Sequence, residues 1–218
     1  MFSGIVSNVG IVNQIIRKNA SAVLTVQGCD DFSGFESGES IAVNGICLTV
    51  RDSTKDTFTV DLSTETIKRT CFKSIEEGDS VNLERSLTPS DKISGHFVSG
   101  HVDCVGRITS IDHKSGEIIF CFEYPTEYTP YIIEKGSVAI DGISLTAFSC
   151  ISNVFSVSII PFTFSHTNLV SRKMGDSVNV ECDMIGKYIY KACESILLSG
   201  DADKQVSLDM LRRQGILK

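Results

Sequence analysis

No apolar run in the chain approaches the ~20 residues that a helix needs to cross a bilayer, tryptophan is absent, and positive charge is in the minority. Lys and Arg number 20 against 27 Asp and Glu, a formal charge of −7, which argues against a nucleic-acid backbone or an anionic membrane as the main partner. The opening residues Met1-Phe2-Ser3-Gly4-Ile5-Val6 lack a basic segment, and Gly4, Asn8 and Gly10 interrupt them before an apolar stretch develops, so no signal peptide is expected. Dense cysteine modules are missing too. The eight cysteines are scattered at 29, 47, 71, 104, 121, 150, 182 and 193 with no Cys-x-x-Cys, and read as free thiols in a reducing, cytoplasmic setting. Nor does the chain carry a phosphate-binding G-x-x-x-x-G-K-[ST], a G-x-G-x-x-G after a strand, a G-x-S-x-G elbow or an H-E-x-x-H pair. What is left is a composition of 42% hydrophobic and 22% charged residues over 218 positions, that of a soluble globular protein of one or two domains acting on a small ligand.

Self-similarity settles the domain count. Ser40-Ile41-Ala42-Val43-Asn44-Gly45-Ile46-Cys47-Leu48-Thr49 lies over Ser137-Val138-Ala139-Ile140-Asp141-Gly142-Ile143-Ser144-Leu145-Thr146, with six of ten positions identical at an offset of 97. Residues 58–84 continue the match to 155–181 at eleven identities in 27, and residues 3–15 match 99–111 at six of thirteen with an offset of 96. The expected division is a first unit over 1–96, a second over 97–182, and a C-terminal helix and tail over 183–218.

Each unit reads as antiparallel β. Thr57–Leu62 and Phe155–Ile160 alternate apolar and polar residues, and Asn44-Gly45 and Asp141-Gly142 supply the positive φ that a tight hairpin turn needs. About six short strands per unit can hide their apolar faces by closing into a small barrel or by packing as a sandwich; the expectation here is the barrel. From Asp183 the period changes: Met184, Ile185, Tyr188, Ile189, Ala192, Cys193, Ile196 and Leu197 form one helical stripe ending near Gly200. This stripe packs either on its own barrel or on another subunit. A weaker helical signal spans Ser207 to Arg213.

His96 and His101 invite a metal reading, but a separation of five places them on opposite faces of a continuous strand, and no metal is expected. The differences between repeats say more. Cys47 stands against Ser144, Ile5 against His101, Asp61 against Ser158 and Thr64 against Pro161, each an exchange of one chemical function for another near the best-matched motifs.

Phe2-Ser3-Gly4-Ile5-Val6, Asn44-Gly45-Ile46-Cys47-Leu48-Thr49, Val81-Asn82-Leu83-Glu84-Arg85, Gly95-His96-Phe97-Val98-Ser99-Gly100-His101-Val102-Asp103 and Asp141-Gly142-Ile143-Ser144-Leu145-Thr146 together resemble the riboflavin synthase family of the α-subunit type, with two lumazine-binding repeats. The resemblance runs from Met1 to about residue 194. It implies two homologous six-stranded antiparallel Greek-key barrels with a C-terminal helix, in an all-β chain. It also implies a cofactor-free transferase that dismutates two molecules of 6,7-dimethyl-8-ribityllumazine. One gives up a four-carbon unit and becomes 5-amino-6-(D-ribitylamino)uracil, while the other becomes riboflavin. Two identical substrates with different fates call for two similar but chemically unequal pockets. In the family each barrel binds one lumazine, and the productive site forms between subunits of a homotrimer, which would give the C-terminal stripe its partner.

Carried over by position, the resemblance implies a first pocket of Gly4, Ile5 and Val6 with Cys47, Leu48, Thr49, Asp61, Leu62, Ser63, Thr64, Glu65 and Thr66. The second would comprise Gly100, His101 and Val102 with Ser144, Leu145, Thr146, Ser158, Ile159, Ile160, Pro161, Phe162 and Thr163, while Lys135 reaches into the neighbouring subunit's site. The electron-poor ring acidifies its own methyl group, so the protein supplies a base or relay and close alignment of two rings. His101 is expected to take part in proton transfer, and Cys47 or Ser144, or a water that they hold, to add to the acceptor ring. Phe162 replaces an acidic residue expected in the second-pocket motif, Phe164 replaces a smaller apolar one, and Ser3 stands for the usual Thr. The rival reading is a non-catalytic lumazine or flavin carrier of the same fold.

Overall fold

The computed structural model describes residues 1–19, 21–28, 34–114 and 116–198. The first repeat forms β1 (Asn8–Lys18), β2 (Ser21–Gln27), β3 (Ser40–Val43), β4 (Ile46–Ser53), β5 (Thr57–Leu62) and β6 (Ser80–Arg85), with a short helix α1 (Thr64–Arg69) after β5. These strands close into an antiparallel barrel in the order β1-β2-β5-β4-β3-β6. Alternation drives closure: in β2 every second residue, Ala22, Leu24 and Val26, is buried, and these meet Val12, Phe58, Val60 and Leu83 in one core. The barrel interior is therefore packed with side chains. Any ligand has to use the outer wall or the rim.

The second repeat forms β7 (Cys104–Lys114), β8 (Glu117–Glu123), β9 (Ser137–Ile140), β10 (Ile143–Thr146), β11 (Phe148–Ile151), β12 (Val154–Ile159), α2 (Pro161–Ser165) and β13 (Ser177–Cys182), around a core that includes Ile108, Phe120, Phe122, Phe155, Val157 and Val180. Two barrels in an all-β chain are the expected class, but the second departs from six closed strands: it is a curled sheet of seven, ordered β10-β9-β13-β7-β8-β12-β11. The strand equivalent to β4 is split. In the first unit Val50 still pairs with Val60 and a bulge at the next residue absorbs the irregularity. In the second, the strand is interrupted at Ala147, between β10 and β11, and Ser149 at φ +50 sits at the irregularity in the short β11–β12 hairpin.

The repeats meet at their hairpin turns. Asn44 and Gly45 have φ +46 and +75, Asp141 and Gly142 have +45 and +80, as the two Asx-Gly pairs require. A Cβ on Gly45 would lie 2.6 Å from Gly142 N, and one on Gly142 2.8 Å from Gly45 N, so only glycine lets the turns touch. Around them the amides are shared with near-twofold symmetry: Asn82 Nδ2 donates to Asp141 O (3.0 Å) and Asn179 Nδ2 to Asn44 O (2.9 Å).

The C-terminal helix α3 (Met184–Leu198) packs on the second unit through Lys187, which pairs with Asp103 at 2.8 Å, and Tyr190, whose ring meets Tyr131 edge-on at 5.2 Å. Its stripe faces away, with Ile185, Tyr188 and Ile189 55%, 74% and 60% exposed. The helical signal over 207–213 lies outside the described residues. No helix among the described residues is long and apolar enough to cross a membrane. The seven described cysteines are free, and Cys29 lies outside the described residues.

Candidate functional site

Two short segments cross the seam between the units. Ser3 donates from both N and Oγ to Glu84 Oε1 (2.7 and 2.8 Å), and Ser99 does the same to Glu181 (2.7 Å each). Phe2 and Val98 then pair with each other and pack with Ala42 and Ala139 in a small core of their own. Burial pushes the Glu84 carboxyl up, and the hydrogen bonds from Ser3 and Gly4 oppose that shift without cancelling it.

From these anchors each segment reaches the opposite barrel. Gly4 O accepts from Ser144 N at 2.7 Å, and Gly100 O accepts from Cys47 N at 2.8 Å. Val6 packs against the second core and Val102 against the first. The segments thus pair across the seam, Gly4 to Val6 with the unit that holds Ser144 and Gly100 to Val102 with the unit that holds Cys47, where the expected grouping keeps each segment with its own repeat. Both glycines sit at φ above +70, and a Cβ would meet Ser144 Cβ at 2.6 Å or Cys47 Cβ at 2.5 Å.

On the first barrel a cavity of about 530 Å³ brings together Ser37, Gly38, Cys47, Leu48, Thr49, Val50, Arg51, Asp61, Ser63 and Thr66. Strand alternation turns Cys47, Thr49 and Asp61 to this outer face and buries the side chains of Leu48 and Leu62 in the core. Leu48 can offer the ligand little beyond backbone. The same alternation buries Ile159 in the second unit and leaves Ser158 and Ile160 outside. Arg51 donates to Asp61 at 3.0 Å and to Asp52 at 2.7 Å, so the cavity carries an ion pair that motif matching missed. The signal was available, since residues 47, 49 and 51 share one face of a strand.

Ser63 caps α1, accepting from Thr66 N at 3.0 Å and sharing a hydroxyl contact with Thr66 Oγ1 at 2.8 Å. Thr64 and Pro161 both occupy the first position of their helices, where proline's missing N–H costs nothing. Either residue suits a helix start. Glu65 forms an ion pair with Arg69 one turn on, and the equivalent pair in α2 is Phe162 stacked on His166, with centroids 4.0 Å apart. Phe162 is 66% exposed, and Phe164 packs on Phe120 and His113. The hydroxyl of Ser158 donates to Glu117, Thr163 O accepts from Thr167 Oγ1 at 2.8 Å, and the Lys135 ammonium lies 5.6 Å from the Phe148 ring centre. Lys135 (φ +63) takes the place of Gly38, which lines the first cavity.

His96 and His101 do not lie on a continuous strand; they belong to the irregular crossing segment, so the face argument made for them does not apply. His101 is exposed, while His96 turns in and places Nδ1 2.7 Å from Ser144 Oγ. No group of three or more potential metal ligands occurs among the described residues.

Burial raises the Cys71 and Cys182 thiols well above their ordinary range and Cys104 to about 12. Cys47 is the thiol that lines the first-barrel cavity. A second cavity of about 530 Å³ lies on the seam, lined by turn residues including Ser74, Asp79, Ser171, Arg172 and Asp176; none of the expected site residues lines it.

Comparison with known proteins agrees with this architecture. The lumazine binding domain model matches residues 3–86 and 99–183. The riboflavin synthase of Bacillus subtilis (strain 168) is 41% identical over 191 residues, 88% of this chain and 89% of that protein. That of Actinobacillus pleuropneumoniae is 41% identical over 218 residues, 99% of this chain and 100% of that protein. In fold, the chain resembles the crystal structure of LumP complexed with riboflavin (TM-score 0.79, 24% identity, 84% of this chain and 99% of that one). It resembles LumP complexed with 6,7-dimethyl-8-(1'-D-ribityl) lumazine to a similar degree (TM-score 0.76, 24% identity, same coverage).

Proposed function

Because the chain belongs to the riboflavin synthase family, we propose that it dismutates two molecules of 6,7-dimethyl-8-ribityllumazine to riboflavin and 5-amino-6-(D-ribitylamino)uracil, one lumazine held by each barrel. The observation that carries this reading is the reciprocal crossing, Gly4 to Ser144 and Gly100 to Cys47, which makes two pockets of one plan and unequal chemistry. The first then offers Cys47, Thr49, Asp61, Ser63, Thr66 and His101, the second Ser144, Thr146, Ser158, Thr163 and Ile5. Strand amides pair with the carbonyl and N–H edge of the ring, and hydroxyls with the ribityl chain. The remaining residues of the two segments, Leu62, Thr64 and Glu65 in one and Ile159, Ile160, Pro161 and Phe162 in the other, shape the walls through backbone and packing.

The reaction needs no resident cofactor in this reading. The ring acidifies its methyl group, His101 moves the proton, and Cys47 or Ser144, directly or through a held water, adds to the acceptor ring. The protein works in the cytoplasm, consistent with its free thiols. Mixing the purified protein with the ribityllumazine and following absorbance tests the reading: riboflavin should appear at half the moles of substrate consumed. A chromophore bound but unchanged would make the protein a carrier and overturn it.

The first-barrel cavity is open on the outer wall, and a dismutation must align two rings face to face. A homotrimer supplies this, with the first barrel of one subunit facing the second barrel of the next and Lys135 entering the neighbour's site. Ile185, Tyr188 and Ile189 on α3 are the apolar contact that such an assembly would cover. A Tyr188→Glu, Ile189→Glu chain is expected to elute as a monomer, keep its circular dichroism, and lose at least ~100-fold in turnover through misalignment. An active monomer would sink the shared site.

A further inference from the structure

Ser144 is held from two sides. Its N donates to Gly4 O at 2.7 Å, and its hydroxyl faces His96 Nδ1 at 2.7 Å. His96 reaches it because Gly95 precedes it: a Cβ on Gly95 would lie 2.2 Å from Ser3 O and 2.8 Å from Ser144 Oγ, and His96 N then donates to Ser3 O at 3.1 Å. The other ring nitrogen, Nε2, is buried and has no partner among the described residues, so Ser144 is the one side-chain bond that orients the imidazole. Cys47, the counterpart of Ser144, has no hydrogen-bond partner for its thiol among the described residues, which makes the His96–Ser144 pair a property of the second pocket alone.

We propose that His96 is the positioning residue for Ser144, its neutral ring accepting the serine proton at Nδ1 so that the Oγ lone pairs face the bound lumazine. This rests on the reading that Ser144 faces the second lumazine. Neutral imidazole has one donor and one acceptor nitrogen, and with the proton on Nε2 the hydroxyl is turned away from the ligand and its acceptor side toward it. Protonation reverses the polarity: Nδ1–H donates to Oγ, and the serine proton swings to the ligand side. Burial lowers the His96 pKa, while the carboxylates of Asp183 at the start of α3 and Glu181 on β13 work in the opposite direction. The Glu84 carboxylate of the other unit is engaged by Ser3 and Gly4. The ring is therefore neutral at pH 7, and activity that depends on it declines on the acid side.

Single-turnover rates of lumazine consumption across pH test this in four variants. Ser144→Ala and His96→Phe should each lose on the order of 100-fold, and the double variant should be no slower than Ser144→Ala within about twofold, because the imidazole acts through the hydroxyl. His96→Asn keeps a hydrogen-bonding atom near the position of Nδ1 but does not titrate; it should recover to within about tenfold of the parent and displace the acid limb, because the His96 contribution to it is gone. Multiplicative losses in the double variant, or an acid limb unchanged in position in His96→Asn, would overturn the proposal. Unchanged rates in His96→Phe with Ser144→Ala impaired would overturn it while leaving the role of Ser144 standing. Unchanged rates in Ser144→Ala would overturn the reading beneath it.

Discussion

A Gly100→Ala chain is expected to lose ligand binding at the first barrel and keep it at the second, and Gly4→Ala to do the reverse. At φ +82 an L-residue costs roughly 1–2 kcal/mol in backbone strain alone. The new Cβ would also sit 2.5 Å from Cys47 Cβ, a distance that no rotamer change relieves. The segment must lift, breaking the 2.8 Å bond from Cys47 N to Gly100 O and drawing His101 and Val102 off the barrel. Turnover should fall by on the order of 100-fold in either variant, since a dismutation needs both rings in register. Alkylation of Cys47 separates the two: lumazine should protect this thiol in Gly4→Ala and fail to protect it in Gly100→Ala. The opposite pattern would restore the grouping in which each segment serves its own repeat.

That exchange could not be read from the sequence, for a physical reason. Two homologous units present equivalent partners, so the offset of 96 that aligns residues 3–15 with 99–111 is satisfied whether a segment pairs within its unit or across the seam. Local features were readable because their causes are local. The Asn-Gly and Asp-Gly turns form where expected, and the strand over 57–62 has the expected bounds. The burial of Leu48, Leu62 and Ile159 was readable in principle from the same alternation, but motif matching treats a segment as a unit and ignores which face each side chain takes. The break after β10 was not readable: neither Ala147, where it falls, nor Ser149, which takes φ +50 inside β11, is a residue type that marks one. His96 was visible in its motif and dismissed with the metal. Its partner is 48 residues away, in a contact that only the folded crossing segment creates.

Replacing Arg172 by Ile should destabilise the chain by about 3–5 kcal/mol, the range for removing one partner of a buried ion pair. Asp141 is fully buried; it accepts from Arg172 at 2.5 Å, from Asn168 Nδ2 at 2.8 Å and from Asn179 N at 2.8 Å. The first repeat solves the same junction without charge: Asn44 accepts from Asn82 N at 2.7 Å, and the residues equivalent to Asn168 and Arg172 are Cys71 and Ile75. Asp141→Asn combined with Arg172→Ile removes both charges but turns an amide NH2 toward Asn168 Nδ2, which in the parent donates to Asp141 Oδ2, so it should recover part of the loss and not all of it. Urea unfolding of the two single variants and the double gives the coupling directly. A double variant as unstable as the sum of the singles would mean that the charges are not paired energetically. Strong coupling would establish that Arg172 is needed because Asp141 is its partner. The same turns touch at Gly45 and Gly142 between the two crossing segments, so a seam that loosens here should also shift Cys47 and Ser144 relative to Gly100 and Gly4. Arg172→Ile is then expected to lower turnover along with stability, and the double variant to recover part of both.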